Sequence, residues 1–457
     1  MSCFLDRRSV IIASVSATLL TSCALLPALN IPTSESAGRQ PVAARRESVV
    51  HFFTGPPDGG WPDVGRLVFD KAGNLYGATN IGGSGNCRFR KMRAGCGTIF
   101  ELSPRRRGGW TERIIYSFKN LADGAAPYST LTLDSSGDIY GVTTAGGNRG
   151  CPLSLYYRGC GTIFQLVPHR GRWEKHLLHV FTGGADGGNP TASLILDNGT
   201  LYGTARCGGG GYSCAPSGSG AGVFFALRRY GEKWTENVLC VFGVKSGGYP
   251  EGDLTSKDRN TIFGTTSASV YMMSRSSSKE SWSETTLYLF PEGETSTGWS
   301  PTGGLTFDGA GNLYGITAEG GNFSKCSQGC GVVFELSQFS GTSWAETVLH
   351  TFSGGRDGAS STAGLSMDAA GTLFGTTRNG GDLNCNGSFG CGIVFSLTPR
   401  GTASKEHVLH TFEDGPTDGA LPQSAVILDS RDRIYGSTWF GGPGSSFGNG
   451  TVFAIAR

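Results

Sequence analysis

The feature that most limits the fold is a short pattern that recurs from one end of the chain to the other. One copy, GLTFDGAGNLYGITAEGG at residues 304–321, predicts a strand, a turn rich in Asp, Gly and Asn, and a second strand that runs into a glycine pair. The glycine after the aromatic residue of the second strand recurs at Gly77, Gly141, Gly203, Gly264, Gly315, Gly375 and Gly436. Successive copies lie 64, 62, 61, 51, 60 and 61 residues apart, which predicts a repeat architecture.

Each repeat contains two further strand patterns. A third strand of the type GTIFEL begins at Gly97, Gly161, Gly331 and Gly392. A fourth strand of the type TVLHTF follows it, with examples ending at Phe118, Phe181, Phe242, Phe290, Phe352 and Phe412. The chain also begins with a fourth-strand pattern, at residues 47–53, and ends on a third-strand pattern, at residues 450–457.

These incomplete ends predict a ring. The sequence favours an all-β, seven-bladed β-propeller of four-stranded antiparallel blades, in which the N-terminal strand completes the last blade. Closure of this kind removes exposed sheet edges. The alternative is an open solenoid of β units, which would not need a partial unit at each end.

Composition agrees with one body made of many turns. The 457 residues include 74 glycines, 38% hydrophobic residues and 16% charged residues, with a net charge of +2. A ring of repeats forms one domain at this length, so we expect residues 47–457 to be a single, monomeric propeller. The weak charge does not favour nucleic acid or an anionic membrane surface as the main partner.

The N-terminal residues have the features of an export sequence. A basic start at Arg7 and Arg8 precedes an apolar run, which ends in Leu-Thr-Ser-Cys23. This ending resembles the bacterial lipobox, which implies cleavage before Cys23 and a lipid on its thiol. We therefore predict a lipoprotein signal peptide (1–22), a flexible tether (23–46) and a location at the outer membrane or cell surface. A plain secretion signal, an uncleaved anchor and twin-arginine export remain alternatives.

Cysteine spacing supports an oxidising compartment. Ten cysteines form near neighbours between the glycine pair and the next strand, as Cys87/Cys96, Cys151/Cys160, Cys207/Cys214, Cys326/Cys330 and Cys385/Cys391. Disulfides within single loops are the expected state. Metal binding is the alternative, but the spacings vary and no histidine recurs beside the pairs. Cys240 has no partner in this pattern and is expected to be a buried free thiol.

Recurring polar positions have structural explanations. Histidines occupy one position of the fourth strand in several blades, at His51, His179, His350 and His410. Being in different blades, they are expected to lie too far apart for a shared metal site. Asp-Gly pairs recur before the first strands, at Asp58, Asp123, Asp186, Asp357 and Asp418. They suit turns, although acidic turns around a channel mouth would also suit a cation. We expect neither a metal nor a cofactor.

The combined motifs resemble a known family. An L-Y-G-x-T-x-x-G-G core, a G-C-G-T-I-F strand and a W-x-E-x-V-L-H-T-F strand are similar to the GloVer tandem-repeat family of bacterial extracytoplasmic proteins, over about residues 47–457. The resemblance implies a surface-anchored or secreted propeller, and it supplies no catalytic residues. The fourth repeat departs from the pattern, because its glycine pair and cysteines are missing after Thr265.

Departures from the repeat are where a ligand site is expected. The loops between second and third strands are long in most repeats and nearly absent in the fourth. The first two of these loops carry basic and aromatic residues, at Arg88, Arg90, Lys91, Arg93, Arg149, Tyr156, Tyr157 and Arg158. Such groups suit acidic glycans or anionic surfaces, although solvated loop charge is a sufficient explanation.

The sequence contains no local catalytic motif. It has no Gly-x-Ser-x-Gly elbow with triad partners, and no zinc-binding helix motif or phosphate loop. The expected function is a binding scaffold for an unknown protein or glycan ligand, attached to the membrane only through its lipid. The alternative is an extracytoplasmic propeller hydrolase or lyase acting on carbohydrate.

Overall fold

The structure is a computed structural model that describes residues 47–457 except 63–64, 90–91, 120, 152, 155–156, 211–213, 215–219, 244–246, 277–280, 292, 294–295, 342, 402–403 and 444–447. The predicted signal peptide, the tether and Cys23 lie outside these residues. Arg45–Arg457 forms one compact unit. Its described strands make seven antiparallel sheets, each running from first to fourth strand in space, which confirms the seven-bladed propeller.

The bounds of the blade strands follow the predicted patterns. The first strands are Val68–Phe69, Thr132–Leu133, Ile195–Asp197, Thr255–Asp258, Thr306–Phe307, Ser366–Met367 and Ile427–Leu428. The second strands are Leu75–Thr79, Ile139–Ala145, Thr200–Ala205, Thr261–Thr265, Leu313–Ile316, Leu373–Thr377 and Ile434–Thr438. The third strands are Thr98–Pro104, Thr162–His169, Val223–Tyr230, Ser269–Arg275, Val332–Ser340, Ile393–Thr398 and Thr451–Ile455. The fourth strands are Trp110–Ser117, Arg172–Val180, Lys233–Val241, Trp282–Leu289, Ser343–Thr351, Lys405–Thr411 and Glu47–Phe52.

The ring closes between the two ends of the described chain. Glu47–Phe52 pairs antiparallel with Thr451–Ile455, with Val49 opposite Phe453 and Phe52 opposite Thr451. The next residue, Phe53, continues the contact by donating its N–H to the Gly450 carbonyl at 3.1 Å. The N-terminal strand is therefore the fourth strand of blade seven.

The glycine that defines the repeat has a steric role. Gly315 on the second strand lies opposite Phe334 on the third, and the Phe334 ring covers it. A Cβ on Gly315 would collide with this ring and would lie 3.0 Å from Cδ2 of Leu305, the residue before the first strand. The six equivalent glycines face an equivalent phenylalanine, except in blade four, where the ring belongs to Tyr271.

The covered ring then joins neighbouring blades. Each meets, edge to face, a buried phenylalanine that follows the fourth strand of the preceding blade, at centroid distances of 4.9–5.5 Å. The pairs are Phe53–Phe100, Phe118–Phe164, Phe181–Phe225, Phe242–Tyr271, Phe290–Phe334, Phe352–Phe395 and Phe412–Phe453. Such pairs add about 0.5–1.5 kcal/mol each beyond the burial of their area. The core is therefore a ring of inter-blade contacts.

An aspartate fixes the turn between first and second strands. Asp308 accepts hydrogen bonds from the N–H groups of Ala310 and Asn312, both at 2.9 Å, and from the Tyr314 hydroxyl at 3.1 Å. Although burial opposes it, this hydrogen bonding lowers the pKa of Asp308. Gly311 adopts a φ of +92°, which favours glycine at this point of the turn. The predicted turn is confirmed.

Short strands and 3-10 turns lie on the face of the ring opposite the turns between first and second strands. Two-residue and three-residue strands pair the segment before the first strand with the end of the second, as in Gly59–Gly60 with Ile81–Gly82, Ala125–Pro127 with Ile139–Ala145, Gly298–Trp299 with Glu319–Gly320, and Gly419–Ala420 with Phe440–Gly441. Loop hairpins are formed by Arg88–Phe89 with Met92–Arg93 and by Leu153–Ser154 with Tyr157–Arg158. Short 3-10 turns occur at Leu121–Asp123 and Asn386–Ser388. The loops before first strands and those after second strands thus share one face.

The loops of this face contain disulfides. Among the described residues, five link Cys87–Cys96, Cys151–Cys160, Cys207–Cys214, Cys326–Cys330 and Cys385–Cys391. Cys240 is free and half-buried. Several disulfides indicate an extracytoplasmic protein. No described helix has the length and apolar character needed to cross a bilayer.

Gly315→Ala tests the contact between glycine and phenylalanine. The added methyl group has no space under the Phe334 ring, so we expect a loss of about 1–3 kcal/mol in the free energy of unfolding. Gly309→Ala is the matched control in the same repeat, because a Cβ there would meet nothing within 4 Å. Denaturant unfolding of both variants measures the effect, and equal stability of the two would contradict it.

Candidate functional site

Seven residues with an unusual backbone conformation surround the mouth of the central channel. They lie just before the first strands and have φ between +50° and +60°, as Trp61, Ala126, Asn189, Tyr249, Ser300, Ser360 and Leu421. This conformation is costly for residues other than glycine and persists only where the surroundings impose it. Its recurrence shows that the fold imposes it in every blade.

Hydrogen bonds to the preceding blade explain this conformation. The Asn189 N–H donates to the Cys160 carbonyl at 2.7 Å, and the Tyr249 N–H donates to the Ala221 carbonyl at 2.7 Å. Trp61, Ala126, Ser360 and Leu421 make the equivalent bond at 2.8–2.9 Å. The positive φ thus turns each N–H towards its neighbour. The side chains at these positions vary from blade to blade.

A central cavity of about 590 Å³ opens at this mouth. Every blade contributes to its lining, for example through Arg66, Tyr128, Thr191, Glu251, Thr302, Thr362 and Gln423. The volume suits a small ligand. Thr302 Oγ1 and Gln423 Nε2 are buried and have no hydrogen-bond partner among the described residues. The cavity therefore offers polar groups that a ligand can satisfy.

Blade four supplies the acidic residue of the cavity wall. Asp253 accepts a hydrogen bond from the Thr130 hydroxyl of blade two and another, at 2.9 Å, from the Ser193 N–H of blade three. Ser193 in turn accepts from the Leu254 N–H at 3.2 Å. Asp253 therefore ties three blades together at the channel.

The wall around the mouth is lowest at the same blade. Thr265 and Ser269, which end the second and begin the third strand of blade four, are separated by three residues and need no disulfide loop. Beside this gap, Arg206 of blade three and Glu251 of blade four form an ion pair at 2.7 Å. About half of the Arg206 side chain is exposed. The predicted low wall is confirmed, and polar residues line it.

An aromatic cluster lies on the opposite side of the ring, where blades seven and one meet. Trp439 stacks on Phe440 with centroids 4.8 Å apart, and Trp61 meets Trp439 edge to face at 6.0 Å. The Arg378 guanidinium lies 5.3 Å from the Trp439 ring centre. These half-buried groups follow the second strands or precede the first ones, as Arg206 and Tyr249 do. They therefore lie on the same face of the ring, outside the residues that line the cavity, and we call them the aromatic shelf.

The described basic residues that were predicted from sequence lie on the loops of two different blades. Arg88 lies opposite Arg93, and both are exposed. Arg149 and Arg158 are exposed on the loop of blade two. Arg90, Lys91, Tyr156 and the Tyr157 side chain lie outside what the structure describes. Each hairpin pairs within its own loop. The site predicted from these eight residues stays a prediction.

The Asp-Gly turns do not line the channel cavity. Asp58 Oδ2 instead accepts the Thr54 N–H at 2.9 Å, and Asp58 lies 3.8 Å from His51 Nε2 on the preceding fourth strand. His179–Asp186, His350–Asp357 and His410–Asp418 repeat this contact at 3.3, 3.7 and 3.3 Å. The aspartates therefore belong to the seams between blades, not to the mouth.

A glutamate from the next blade completes each of these four contacts. In two seams, His51–Asp58–Glu112 and His410–Asp418–Glu47, atoms of all three groups lie within 4.8 Å of one another. Glu236 and Glu406 interact with the other two pairs. Burial raises the pKa of Glu47, Glu236 and Glu406 to about 7, against the attraction of the histidine. We call these groups the seam clusters.

The seam between blades one and two has different chemistry. Tyr116 replaces the histidine and donates to Asp123 at 2.6 Å, while Lys175 replaces the glutamate and lies 2.8 Å from Asp123. Burial lowers the pKa of Lys175, against its attraction to Asp123. Here a buried cation of one blade meets the anion of another.

Sequence reasoning missed both the mouth and the seam clusters. The mouth residues differ between repeats, and the X-Pro pairs that follow the fourth strand could have marked them, as at Trp61-Pro62 and Asn189-Pro190. Each seam cluster combines a fourth-strand histidine and an aspartate seven or eight residues later with a glutamate of the neighbouring blade. Only the ring geometry shows which residues meet.

Asp253→Ala tests the contacts that cross the channel. The substitution leaves the buried Thr130 hydroxyl and Ser193 N–H without their acceptor, so we expect a loss of about 1–3 kcal/mol in unfolding free energy. Glu251→Gln is the control, because it removes a partly exposed ion pair worth about 0–1 kcal/mol. Denaturant titration of the two variants distinguishes these values. A smaller loss for Asp253→Ala than for Glu251→Gln would contradict the assignment.

The chain is similar to several solved structures at low sequence identity. A fungal alcohol oxidase of the AA5 family in complex with copper is 12% identical, with 90% of this chain and 76% of that chain covered and a TM-score of 0.53. Pseudomonas fluorescens PhoX in complex with vanadate is 11% identical, with 91% and 95% covered and a TM-score of 0.44. A luciferin-regenerating enzyme is 13% identical, with 87% and 92% covered and a TM-score of 0.43. At these identities the likeness concerns the fold alone.

No curated protein matches the chain in sequence. The model of the Gloeobacter/Verrucomicrobia repeat matches three overlapping segments, residues 40–213, 159–389 and 269–453. Together they span nearly the whole propeller and agree with the resemblance noted from the motifs. This chain belongs to the Gloeobacter/Verrucomicrobia repeat family.

Proposed function

We propose that this protein is a lipid-anchored binding scaffold of the cell envelope whose channel mouth binds a glycan. The observation that carries the proposal is the coincidence of three departures from the repeat on the face that carries the mouth. Blade four lacks the disulfide loop, and beside that gap lie Glu251 and Asp253. Across the ring lies the aromatic shelf.

The chemistry of the two sides suits a sugar. Hydroxyl, amide and charged groups line the cavity, including the Arg206–Glu251 pair. Such groups exchange hydrogen bonds with hydroxyls, and the orphaned Thr302 and Gln423 atoms are available for this. Aromatic faces such as Trp61 offer apolar contact without losing much side-chain entropy. A ligand with many hydroxyls and an apolar ring face satisfies both sides.

The exposed arginines of the first two loops favour acidic glycans as a second contact. Arg88, Arg93, Arg149 and Arg158 are exposed on the face that carries the mouth. Guanidinium groups bind carboxylates and sulfates through paired hydrogen bonds. The loops therefore add affinity for a ligand whose main site is the mouth.

A glycan array probed with the purified exported protein tests the binding. We expect Trp61→Ala to weaken binding of the best glycan at least about tenfold, equivalent to about 1.4 kcal/mol. Replacing Arg88, Arg93, Arg149 and Arg158 by Ala should weaken binding of acidic glycans only. Phe339→Ala is the matched control, because this aromatic side chain is 69% exposed and lies at the end of a third strand.

Three outcomes would overturn the proposal. The first is the absence of glycan binding by the wild-type protein. Unchanged binding by the Trp61 variant with loss in the loop variant would move the site to the loops. Cleavage of the bound glycan by protein free of contaminants would favour the hydrolase or lyase alternative.

Cys23→Ala tests the anchor. A lipid on the Cys23 thiol would hold the protein on the membrane, whereas the variant has no thiol to modify. We expect wild-type protein in the membrane fraction and the variant outside it, as measured by fractionation and by labelling with a radioactive fatty acid. Cys240→Ala is the control, and equal labelling of wild type and Cys23→Ala would contradict the anchor.

A further inference from the structure

Each of the four seam clusters has an excess of negative charge when both of its carboxyl groups are ionised. Each brings two carboxylates, one from Asp and one from Glu, to a single imidazole. Even a protonated imidazole supplies one positive charge against two negative ones. The side chains of the paired histidines and aspartates are only 16–23% exposed, so water screens them poorly. One more positive charge per cluster is required for neutrality.

Unpaired atoms show where that charge is missing. Glu112 Oε1 is buried and lacks a hydrogen-bond partner among the described residues. Oε1 of Glu47, Glu236 and Glu406 is in the same condition. A buried acceptor without a donor is costly. One proton on the glutamate supplies both the charge and the donor.

The seam between blades one and two is an internal control. Its Asp123 receives one O–H donor, from Tyr116, and one cation, from Lys175. A protonated glutamate and the histidine supply an O–H donor and a ring nitrogen to the aspartate of the other seams, with the roles of the two blades exchanged. The five seams then share one pattern of an anion, a nitrogen-containing side chain and a neutral O–H donor.

We propose that the seam clusters hold protonated glutamates at mildly acidic pH, so that the ring is tight in acid and loosens as these carboxyls ionise near neutrality. A metal ion fits less well. Among the described residues of the four seams, only those at His51 and His410 bring three possible ligand atoms within 4.8 Å of one another.

The direction of the pH effect follows from linkage. The pKa of the clustered glutamates is raised, to about 7 in Glu236 and Glu406, from an ordinary 4.5. Stability from their protonation is present below about pH 4.5 and is lost as pH rises to about 7. Hydrogen bonding instead lowers the pKa of Asp357 to about 2 despite burial, so its contribution is lost only as pH falls towards 2. A stability maximum between these limits is expected.

The groups that face each glutamate are known. They are His51 and Asp58 for Glu112, His179 and Asp186 for Glu236, His350 and Asp357 for Glu406, and His410 and Asp418 for Glu47. Asp414 also interacts with Asp418. Glu47 is therefore left unchanged in the test, since it has the most complex surroundings and lies on the strand that closes the ring.

The test is thermal unfolding of the purified exported protein between pH 5 and pH 8.5. We expect the wild-type Tm to fall by several degrees over this range. The triple variant Glu112→Gln, Glu236→Gln and Glu406→Gln carries a permanent donor, so its Tm should fall less and exceed that of wild type at pH 8.5. Glu174→Gln is the matched control on the same kind of strand, because its side chain is 68% exposed, and it should behave as wild type.

Two results would overturn the proposal. One is an identical pH dependence of Tm in wild type and triple variant. The other is stabilisation of wild type, but not of the variant, by added Zn²⁺ at pH 8.5, which would make the clusters cation sites. If the triple variant does not fold, infrared spectra of wild type decide the question. A protonated carboxyl band present at pH 5.5 and lost at pH 8.5 supports the proposal, and its absence at pH 5.5 refutes it.

Discussion

The ring depends on one contact that every blade repeats, a bulky aromatic side chain laid over a glycine. The glycine of the second strand leaves room for the third-strand ring, as Gly315 does for Phe334. That ring then reaches the phenylalanine that follows the fourth strand of the preceding blade. The absence of a side chain on this glycine thus permits both the packing within a blade and the packing between neighbouring blades. Because the last link is Phe53 against Phe100, the N-terminal strand is needed to complete the series.

The mouth carries the variation that this frame permits. A positive φ recurs just before each first strand, and in six blades a backbone bond to the preceding blade accompanies it, whatever the side chain. The side chains at that position are free to differ, from Trp61 to Ala126 and Tyr249. Blade four combines this freedom with a shortened loop and with Asp253, which holds blades two and three. The least regular blade is therefore the one that shapes the cavity.

Contacts between ionisable side chains also recur, at the seams between blades. Four seams join a histidine and an aspartate to a glutamate of the next blade, and in one seam Tyr116 and Lys175 surround the aspartate instead. In a ring, every blade has two neighbours, so a group that changes its charge in several seams acts on the closed structure as a whole. Burial of these groups makes them sensitive to pH, since ionisation in a poorly screened seam is unfavourable. The stability of the ring therefore depends on the pH around the protein.

Much of the fold could be predicted from the sequence, because its information is local and repeated. Some features of the fold depend on residues close together in the chain, namely the turn at Asp308 and the disulfide pairs. Others depend on counting repeated patterns, namely the regular spacing of the second-strand glycines and the unmatched strands at the two ends. The number of blades and the manner of closure followed from them. The candidate site was harder, since the exposed arginines of the first two loops stand out in sequence but lie on the loops of two different blades.

The tertiary structure alone decided which distant residues meet. Arg206 and Glu251 are 45 residues apart, Trp61 and Trp439 are at opposite ends of the chain, and His410 meets Glu47 only because the ring closes. The sequence by itself determined the blade, the number of copies and the cysteine loops, because period and spacing are properties of the chain. The mouth and the seams required the structure, because closing a ring places side chains together by blade order and not by distance in sequence.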